Sequence, residues 1–158
     1  MTSTKRATTL LTFVPALLLA AATSLQAQDR GPDGEPETAA GHEADVEAAT
    51  EAALDWLEIV DGGDYGASWE EAAEVFKGAV TREQWNATVG QVRSQVGTLG
   101  ERTLASSEYT TELPGAPAGE YVVLQFRTET SGDQTVTETV VPTREDGSWK
   151  VSGYFVRP

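Results

Sequence analysis

Large apolar residues recur every three or four positions in the first half of the folded region, and this spacing predicts three amphipathic helices. The first helix begins near Asp45 and ends at Gly62 and Gly63, because glycine accepts the left-handed conformation that follows a helix. The second helix is shorter and is predicted between Tyr65 and Phe76. The third has one apolar stripe, formed by Trp85, Val89, Val92 and Val96.

Capping residues mark where the second and third helices begin. Asp64 can cap the second helix, and Ser68 with Glu71 offers an alternative capping box one turn later. Thr81 and Gln84 form a capping box before the apolar stripe of the third helix.

From Arg102 onward the apolar spacing changes to the alternation that is typical of strands. Four strands are predicted, over residues 102–111, 120–130, 135–144 and 149–157. Asp146 and Gly147 indicate a two-residue hairpin turn between the last two strands. The predicted fold is therefore α+β, with three N-terminal helices packed on a curved four-stranded antiparallel sheet.

The predicted strand register places one carboxylate on the apolar face of this sheet. If residues 131–133 form a three-residue loop, Glu138 lies opposite Phe126, and the last hairpin places it opposite Phe155. A two-residue turn would instead pair Glu138 with Arg127, at the cost of turning polar side chains toward the core. The favoured core face consists of Val122, Leu124, Phe126, Val136, Val140, Val151 and Phe155, with Glu138 in its middle.

A buried carboxylate must be paired or protonated, because an isolated charge is costly in an apolar environment. Arg82 and Arg93 lie about 20° apart on one flank of the third helix and are the expected partners of Glu138. Glu138, Arg93 and Arg82 are therefore the candidate pocket residues. Three roles stay open for Glu138: a structural ion pair, ligand binding, or general acid–base chemistry.

The opposite face of the sheet is predicted to be mixed polar and aromatic. Such a surface suits a homodimer interface of moderate size. Its predicted residues are Gln125, Arg127, Thr137, Thr139, Ser152 and Tyr154.

The N-terminal segment has the order of a secretory signal peptide. Lys5 and Arg6 precede an almost uncharged apolar run, and cleavage is expected near Ala27. A membrane anchor is disfavoured, since Pro15 interrupts the run and its apolar core falls short of the roughly 20 residues that span a bilayer. We expect a signal peptide over residues 1–27, a disordered acidic linker over 28–44, one domain over 45–158, and a periplasmic or secreted product without a stable membrane anchor.

Composition removes several functional classes. The chain has no cysteine, so a thiol nucleophile is excluded. It has one histidine, His42, so a Ser-His-Asp triad or a zinc site is disfavoured. We therefore predict no metal, no cofactor and no assigned catalytic residue. The net charge of −14 disfavours nucleic acid as a partner, because phosphate binding needs clustered lysine and arginine.

Several motifs together resemble a family of short exported bacterial proteins, catalogued as domain of unknown function 4019. They are Trp56-Leu-Glu-Ile-Val-Asp61, Gly63-Asp-Tyr-Gly-Ala-Ser-Trp69, Thr81-Arg-Glu-Gln-Trp85, Tyr109-Thr-Thr-Glu-Leu-Pro-Gly115, Gly119-Glu-Tyr-Val-Val-Leu-Gln-Phe-Arg127 and Trp149-Lys-Val-Ser-Gly-Tyr-Phe155. The resemblance implies no assigned activity. The order of elements is similar to the cone-shaped fold of nuclear transport factor 2-like domains, with a cystatin-like fold as the other expectation.

The leading functional hypothesis is an exported, non-catalytic domain that binds a small ligand or a protein partner, or self-associates. The alternative is a small pocket enzyme of the isomerase, dehydratase or hydrolase kind that uses Glu138 as acid or base. That alternative is motivated by one carboxylate that breaks the apolar pattern.

Overall fold

A computed structural model of the chain describes residues 41–132 and 134–157, and these residues form helices first and strands afterwards. The helices are α1 (Glu43–Asp61), α2 (Tyr65–Glu71), α3 (Glu74–Ala79) and α4 (Arg82–Val96). The strands are β1 (Leu99–Thr110), β2 (Tyr121–Thr130), β3 (Thr135–Glu145) and β4 (Ser148–Arg157). The strands form one antiparallel sheet in the order β1-β2-β3-β4. The predicted α+β class is confirmed.

The helix ends follow the capping residues in the sequence. Gly63 adopts a φ of 80° just after α1, a conformation that glycine accepts without steric cost. The Asp64 side chain accepts a hydrogen bond from the amide of Ala67 at 3.0 Å, so the first of the two predicted caps begins α2. Thr81 and Gln84 form a complete capping box at the start of α4.

The segment predicted as one second helix is divided into α2 and α3. Ala72 and Ala73 have extended backbone conformations, and the amide of Ala73 donates to the carbonyl of Val151 at 2.9 Å. A hydrogen bond to β4 thus replaces the one that would have continued the helix.

Helix α1 begins at Glu43, two residues before the predicted start of the domain at Asp45. The predicted signal peptide lies outside the described residues, as does the predicted linker up to residue 40. Among the described residues, no helix has the length and apolar character needed to cross a membrane.

The register between β2 and β3 is the favoured one of the two considered. Phe126 pairs with Glu138 and Leu124 with Val140. The last hairpin also begins as predicted, with both Asp146 and Gly147 at positive φ in the turn.

The predicted pairing of β3 with β4 fails after the first few residues. Pro142 pairs with Val151, but Val141 pairs with Gly153, so Ser152 is an extra residue on β4. This bulge reverses the faces of the residues that follow. The prediction that Phe155 faces the core is therefore wrong, since its side chain is 57% exposed. The prediction that Tyr154 lies on the outer face is wrong for the same reason.

The helices cover one face of the sheet, and the core lies between the two layers. The ring of Tyr154 packs edge-on against Trp56 and Trp85, with centroids 5.6 and 6.1 Å away. The largest buried apolar side chains of this core are Trp56, Leu57, Val60, Phe76, Trp85, Val89, Val122, Leu124, Phe126, Val140, Trp149 and Val151.

Candidate functional site

Glu138 lies in the middle of β3 and is completely buried. Its neighbours across the strands are Phe126 on β2 and Val156 on β4. A carboxylate in such surroundings has lost its hydration, so its stability depends on the groups that donate to it.

Four hydrogen bonds reach the two oxygens of Glu138. Oε2 accepts from Nε of Arg102 at 2.6 Å and from the hydroxyl of Thr128 at 2.5 Å. Oε1 accepts from the hydroxyl of Tyr154 at 2.5 Å and from Nη2 of Arg102 at 3.2 Å. A carboxylate has about four lone-pair sites. Every acceptor site of Glu138 is therefore occupied by a protein donor.

Arg102 joins Glu138 to a second carboxylate, that of Asp61 at the end of α1. Its Nη1 and Nη2 atoms donate to the two oxygens of Asp61 at 2.5 and 3.0 Å. The guanidinium thus makes two bidentate pairs, a geometry that its planar fork favours. Burial alone would lower the pKa of Arg102, but hydrogen bonds and charges from Asp61 and Glu138 outweigh it and raise that pKa.

Arg93 and Tyr154 complete the cluster. Nη2 of Arg93 lies 2.8 Å from Oδ1 of Asp61 and donates to the Tyr154 hydroxyl at 3.3 Å. Burial and the charge of Glu138 raise the pKa of Tyr154 well above its ordinary value, so the phenol stays protonated and donates to the carboxylate. We call these six residues the Glu138 cluster: Asp61, Arg93, Arg102, Thr128, Glu138 and Tyr154.

The predicted partners of Glu138 are corrected by this geometry. Arg93 reaches it only through Tyr154 and Asp61, and Arg82 is not in the cluster. Arg82 is half-exposed and pairs with Glu70 at 3.1 Å. Arg82 and Arg93 share a helix flank, but eleven residues separate them by about 16 Å along the axis, so one carboxylate cannot meet both.

Sequence reasoning missed Arg102, Asp61 and Thr128. Arg102 is the first residue of the predicted strand 102–111, and its inward face depends on a register shift between Leu99 and Arg102. One available signal was Gly153, because an isolated glycine in a strand often marks a bulge, and the bulge turns Tyr154 inward.

An open groove lies away from the Glu138 cluster, between α1 and β1, with a volume of about 1380 Å³. Its apolar lining includes Val46 and two leucines, Leu54 and Leu104, that are 39% and 42% exposed. Leu54 and Leu104 are two of the four large apolar side chains that are exposed in the described part of the chain. The α1–β1 groove therefore presents an accessible apolar surface, in contrast to the closed cluster around Glu138.

Six carboxylates surround this apolar lining: Glu43, Glu47, Glu51, Asp55, Glu58 and Glu108. All six are exposed, and among the described residues none of them forms a salt bridge. Within residues 41–132 and 134–157, no lysine or arginine lines the groove. Its electrostatic potential is thus strongly negative.

Aromatic stacking closes one end of the α1–β1 groove. The His42 ring stacks on the Tyr109 ring with centroids 3.7 Å apart and an interplanar angle of 5°. The Tyr109 hydroxyl donates to Glu120 at 2.8 Å, and this hydrogen bond raises the pKa of Tyr109. Asp45 pairs with Arg144 of β3. These contacts fix the start of α1 against the sheet.

The outer face of the sheet carries one prominent apolar side chain. Phe155 lies next to Gly153 and Val141, and Gln125 pairs with Thr139 on the neighbouring strands. With Tyr154 turned inward, Phe155 supplies the aromatic part of this surface.

In residues 41–132 and 134–157, no three His, Asp or Glu side chains come together as a metal site would require.

Comparison with known proteins agrees with the motifs. A search of curated proteins finds no match for the chain. The family model described as "Protein of unknown function (DUF4019)" matches residues 52–154, which include the Glu138 cluster and most of the α1–β1 groove. The chain belongs to the DUF4019 family of proteins of unknown function.

Proposed function

We propose that this chain is an exported, non-catalytic binding domain whose ligand site is the α1–β1 groove. The ligand is a segment of a protein partner. The observation that carries the proposal is the contrast between the two candidate sites: the carboxylate of Glu138 has four internal donors, whereas the groove exposes Leu54 and Leu104.

A general base needs a free lone pair within hydrogen-bonding distance of the substrate. Glu138 has none left, and displacing Arg102 or Tyr154 would strand a buried donor. This speaks against the pocket-enzyme alternative and for a structural role of the Glu138 cluster. Exposed apolar surface framed by polar groups, in contrast, is typical of sites that bind other proteins.

A phage-displayed library of random dodecapeptides tests the binding proposal without assuming the chemistry of the partner. Panning uses the full chain, and every enriched peptide is then synthesised and titrated against variants. We expect enriched peptides to lose affinity for the Leu54→Glu, Leu104→Glu double variant, because two buried carboxylates would oppose apolar contact.

The matched control is the Val75→Glu variant, since Val75 is a comparably exposed apolar residue on α3 outside the groove. Peptides should bind this variant as they bind the unmodified chain. A library that yields no peptide sensitive to Leu54 and Leu104 would contradict the proposed site.

We also propose that the outer face of the sheet mediates a homodimer. The exposure of Phe155 beside Val141 supports this second role. Sedimentation velocity over a concentration series should show a dimer that the Phe155→Ser variant weakens. A monomer at all concentrations would refute this proposal, and it would leave the groove proposal untouched.

Export is proposed from the first 27 residues alone. Expression of the full chain with a C-terminal tag, followed by fractionation and N-terminal sequencing, should give a periplasmic or secreted product that begins at Gln28. A product that retains Met1 in the cytoplasmic fraction would refute export.

A further inference from the structure

We infer that the partner segment is an extended, cationic strand, with lysine or arginine at alternate positions, that pairs with the edge of β1 facing away from β2. This inference rests on the proposed function, because it names the chemistry and conformation of the segment that occupies the α1–β1 groove. Four features of the groove support it.

The spacing of acids along α1 matches the repeat of a strand. Glu43, Glu47, Glu51 and Asp55 follow one another at intervals of four residues and all line the groove. Four residues of helix rise about 6 Å. Side chains on one face of a strand repeat every 6.4–6.8 Å or so. Alternate cationic side chains of an extended segment can therefore meet successive acids of this row, which we call the α1 acid row.

In the part of the chain that the structure describes, no strand lies along the edge of β1 that faces away from β2. β1 is an end strand of the sheet, and its residues Thr103 to Glu108 are all exposed. Exposure of consecutive residues means that both faces of this stretch are uncovered within the described part of the chain. An exposed edge offers unpaired backbone donors and acceptors, which is the basis of strand addition.

The part of β1 beside the groove has regular geometry. After the irregularity between Leu104 and Ser106, the pairs run without a break from Ser106 opposite Gln125 to Thr110 opposite Tyr121. Five regularly paired residues supply a template of about 17 Å. The α1 acid row, from Glu43 to Asp55, rises about 18 Å along its helix, so template and acid row have similar lengths.

The negative charge of the groove favours a cationic partner. Among the described residues, the groove lining contains six carboxylates and neither lysine nor arginine, so a neutral strand would leave these charges unpaired and an acidic one would be repelled. Leu54 and Leu104 line the same groove and can pack against the aliphatic stems of the cationic side chains. The resulting pattern for the partner is a cation at every second position.

The probe is the octapeptide Lys-Val-Lys-Thr-Lys-Val-Lys-Thr, titrated against the full chain by calorimetry. Two versions carry backbone N-methyl groups, one on the four lysines and the other on the four remaining residues. Alternate amides of a strand point to the same edge. One methylated version should therefore bind about ten-fold more weakly or worse, while the other keeps its affinity.

Charge is tested in the protein. The Glu47→Gln, Glu51→Gln variant should bind the octapeptide about two- to thirty-fold more weakly, which is the combined effect of two exposed ion pairs. The matched control is Glu83→Gln with Glu129→Gln, which removes the same charge from exposed positions outside the groove. The control variant should bind as the unmodified chain does.

Equal losses of affinity for the two charge variants, or for the two methylated peptides, would overturn the inference. An octapeptide that does not bind would also overturn it. If library peptides without alternate cations bind through Leu54 and Leu104, the proposed function stands and this inference fails. If no library peptide depends on those leucines, the proposed function itself fails.

Discussion

Nε of Arg102 donates to Oε2 of Glu138 at 2.6 Å, although β2 lies between the strands that carry them. The guanidinium reaches over the inward face of β2, where Thr128 also donates to Glu138. Through its other nitrogens Arg102 contacts Asp61 at the end of α1. One side chain thus connects the edge strand, an inner strand and the first helix.

Loss of the carboxylate should therefore destabilise the domain strongly. We expect Glu138→Ala to lower the free energy of unfolding by about 3–5 kcal/mol, because it leaves buried donors unpaired. Glu138→Gln should cost less, since the amide keeps the shape and the Thr128 or Tyr154 hydroxyl can turn to accept from it. Urea unfolding of the full chain gives both values.

A double-mutant cycle tests whether Arg102 is the direct partner of Glu138. Arg102→Ala should lower the free energy of unfolding much less in the Glu138→Ala background than in the unmodified chain, as expected for residues that interact directly. Arg82→Ala is the control, and its effect should be within about 0.5 kcal/mol and additive with Glu138→Ala, because Arg82 is half-exposed and pairs elsewhere. Additive losses for Glu138 and Arg102 would show that their contact contributes nothing.

Alkaline pH should reduce the stabilisation that Tyr154 gives the folded domain. Its pKa is raised in the folded protein by burial and by the charge of Glu138, so the unfolded chain loses the phenolic proton first. The stabilisation is present below about pH 10 and is lost as pH rises above it, by about 1.4 kcal/mol per pH unit. The Tyr154→Phe variant lacks this loss.

The stability difference between the unmodified chain and Tyr154→Phe should consequently shrink between pH 9 and about pH 11.5. Tyr109, whose pKa is also raised, is present in both proteins and its contribution cancels. Urea unfolding at several alkaline pH values measures the difference. A gap that stays constant would mean that the Tyr154 phenol titrates normally.

Substitution by alanine should change the stability in opposite directions at Gly63 and Gly78. Gly63 has a φ of 80°, so Gly63→Ala should destabilise the domain by about 1–2 kcal/mol although nothing obstructs its Cβ. Gly78 lies in α3 without such a φ and with open space around it, so Gly78→Ala should stabilise by up to about 1 kcal/mol. Thermal unfolding of both variants is the measurement, and a shift of the same sign in both would contradict this reading of the turn.

The sequence predicted the features that depend on local pattern. Apolar spacing and capping residues placed the helices, and the turn at Asp146 and Gly147 fixed the first pairs of the last hairpin. The burial of Glu138 followed from the pairing of β2 with β3, which one loop length determines. Each of these features involves neighbours in the chain.

The pairing of Glu138 with Arg102 could not be predicted from local sequence patterns. Arg102 is 36 residues away, and its position depends on the pairing of β1 with β2, where two irregularities shift the register. The bulge at Ser152 likewise exchanged the faces of Tyr154 and Phe155. Irregular pairing leaves little trace in the alternation of a strand, so the long-range contacts of the cluster needed the folded structure.

We propose that ligands bind in the α1–β1 groove and that the Glu138 cluster is structural. The most direct test is the affinity of one library-selected peptide for two single variants of the full chain, Leu104→Glu in the groove and Tyr154→Phe in the cluster. We predict that Leu104→Glu weakens binding at least about ten-fold, because a carboxylate would replace an apolar contact, and that Tyr154→Phe leaves the affinity unchanged while lowering stability. Binding that depends on Tyr154 and not on Leu104 would contradict the claim.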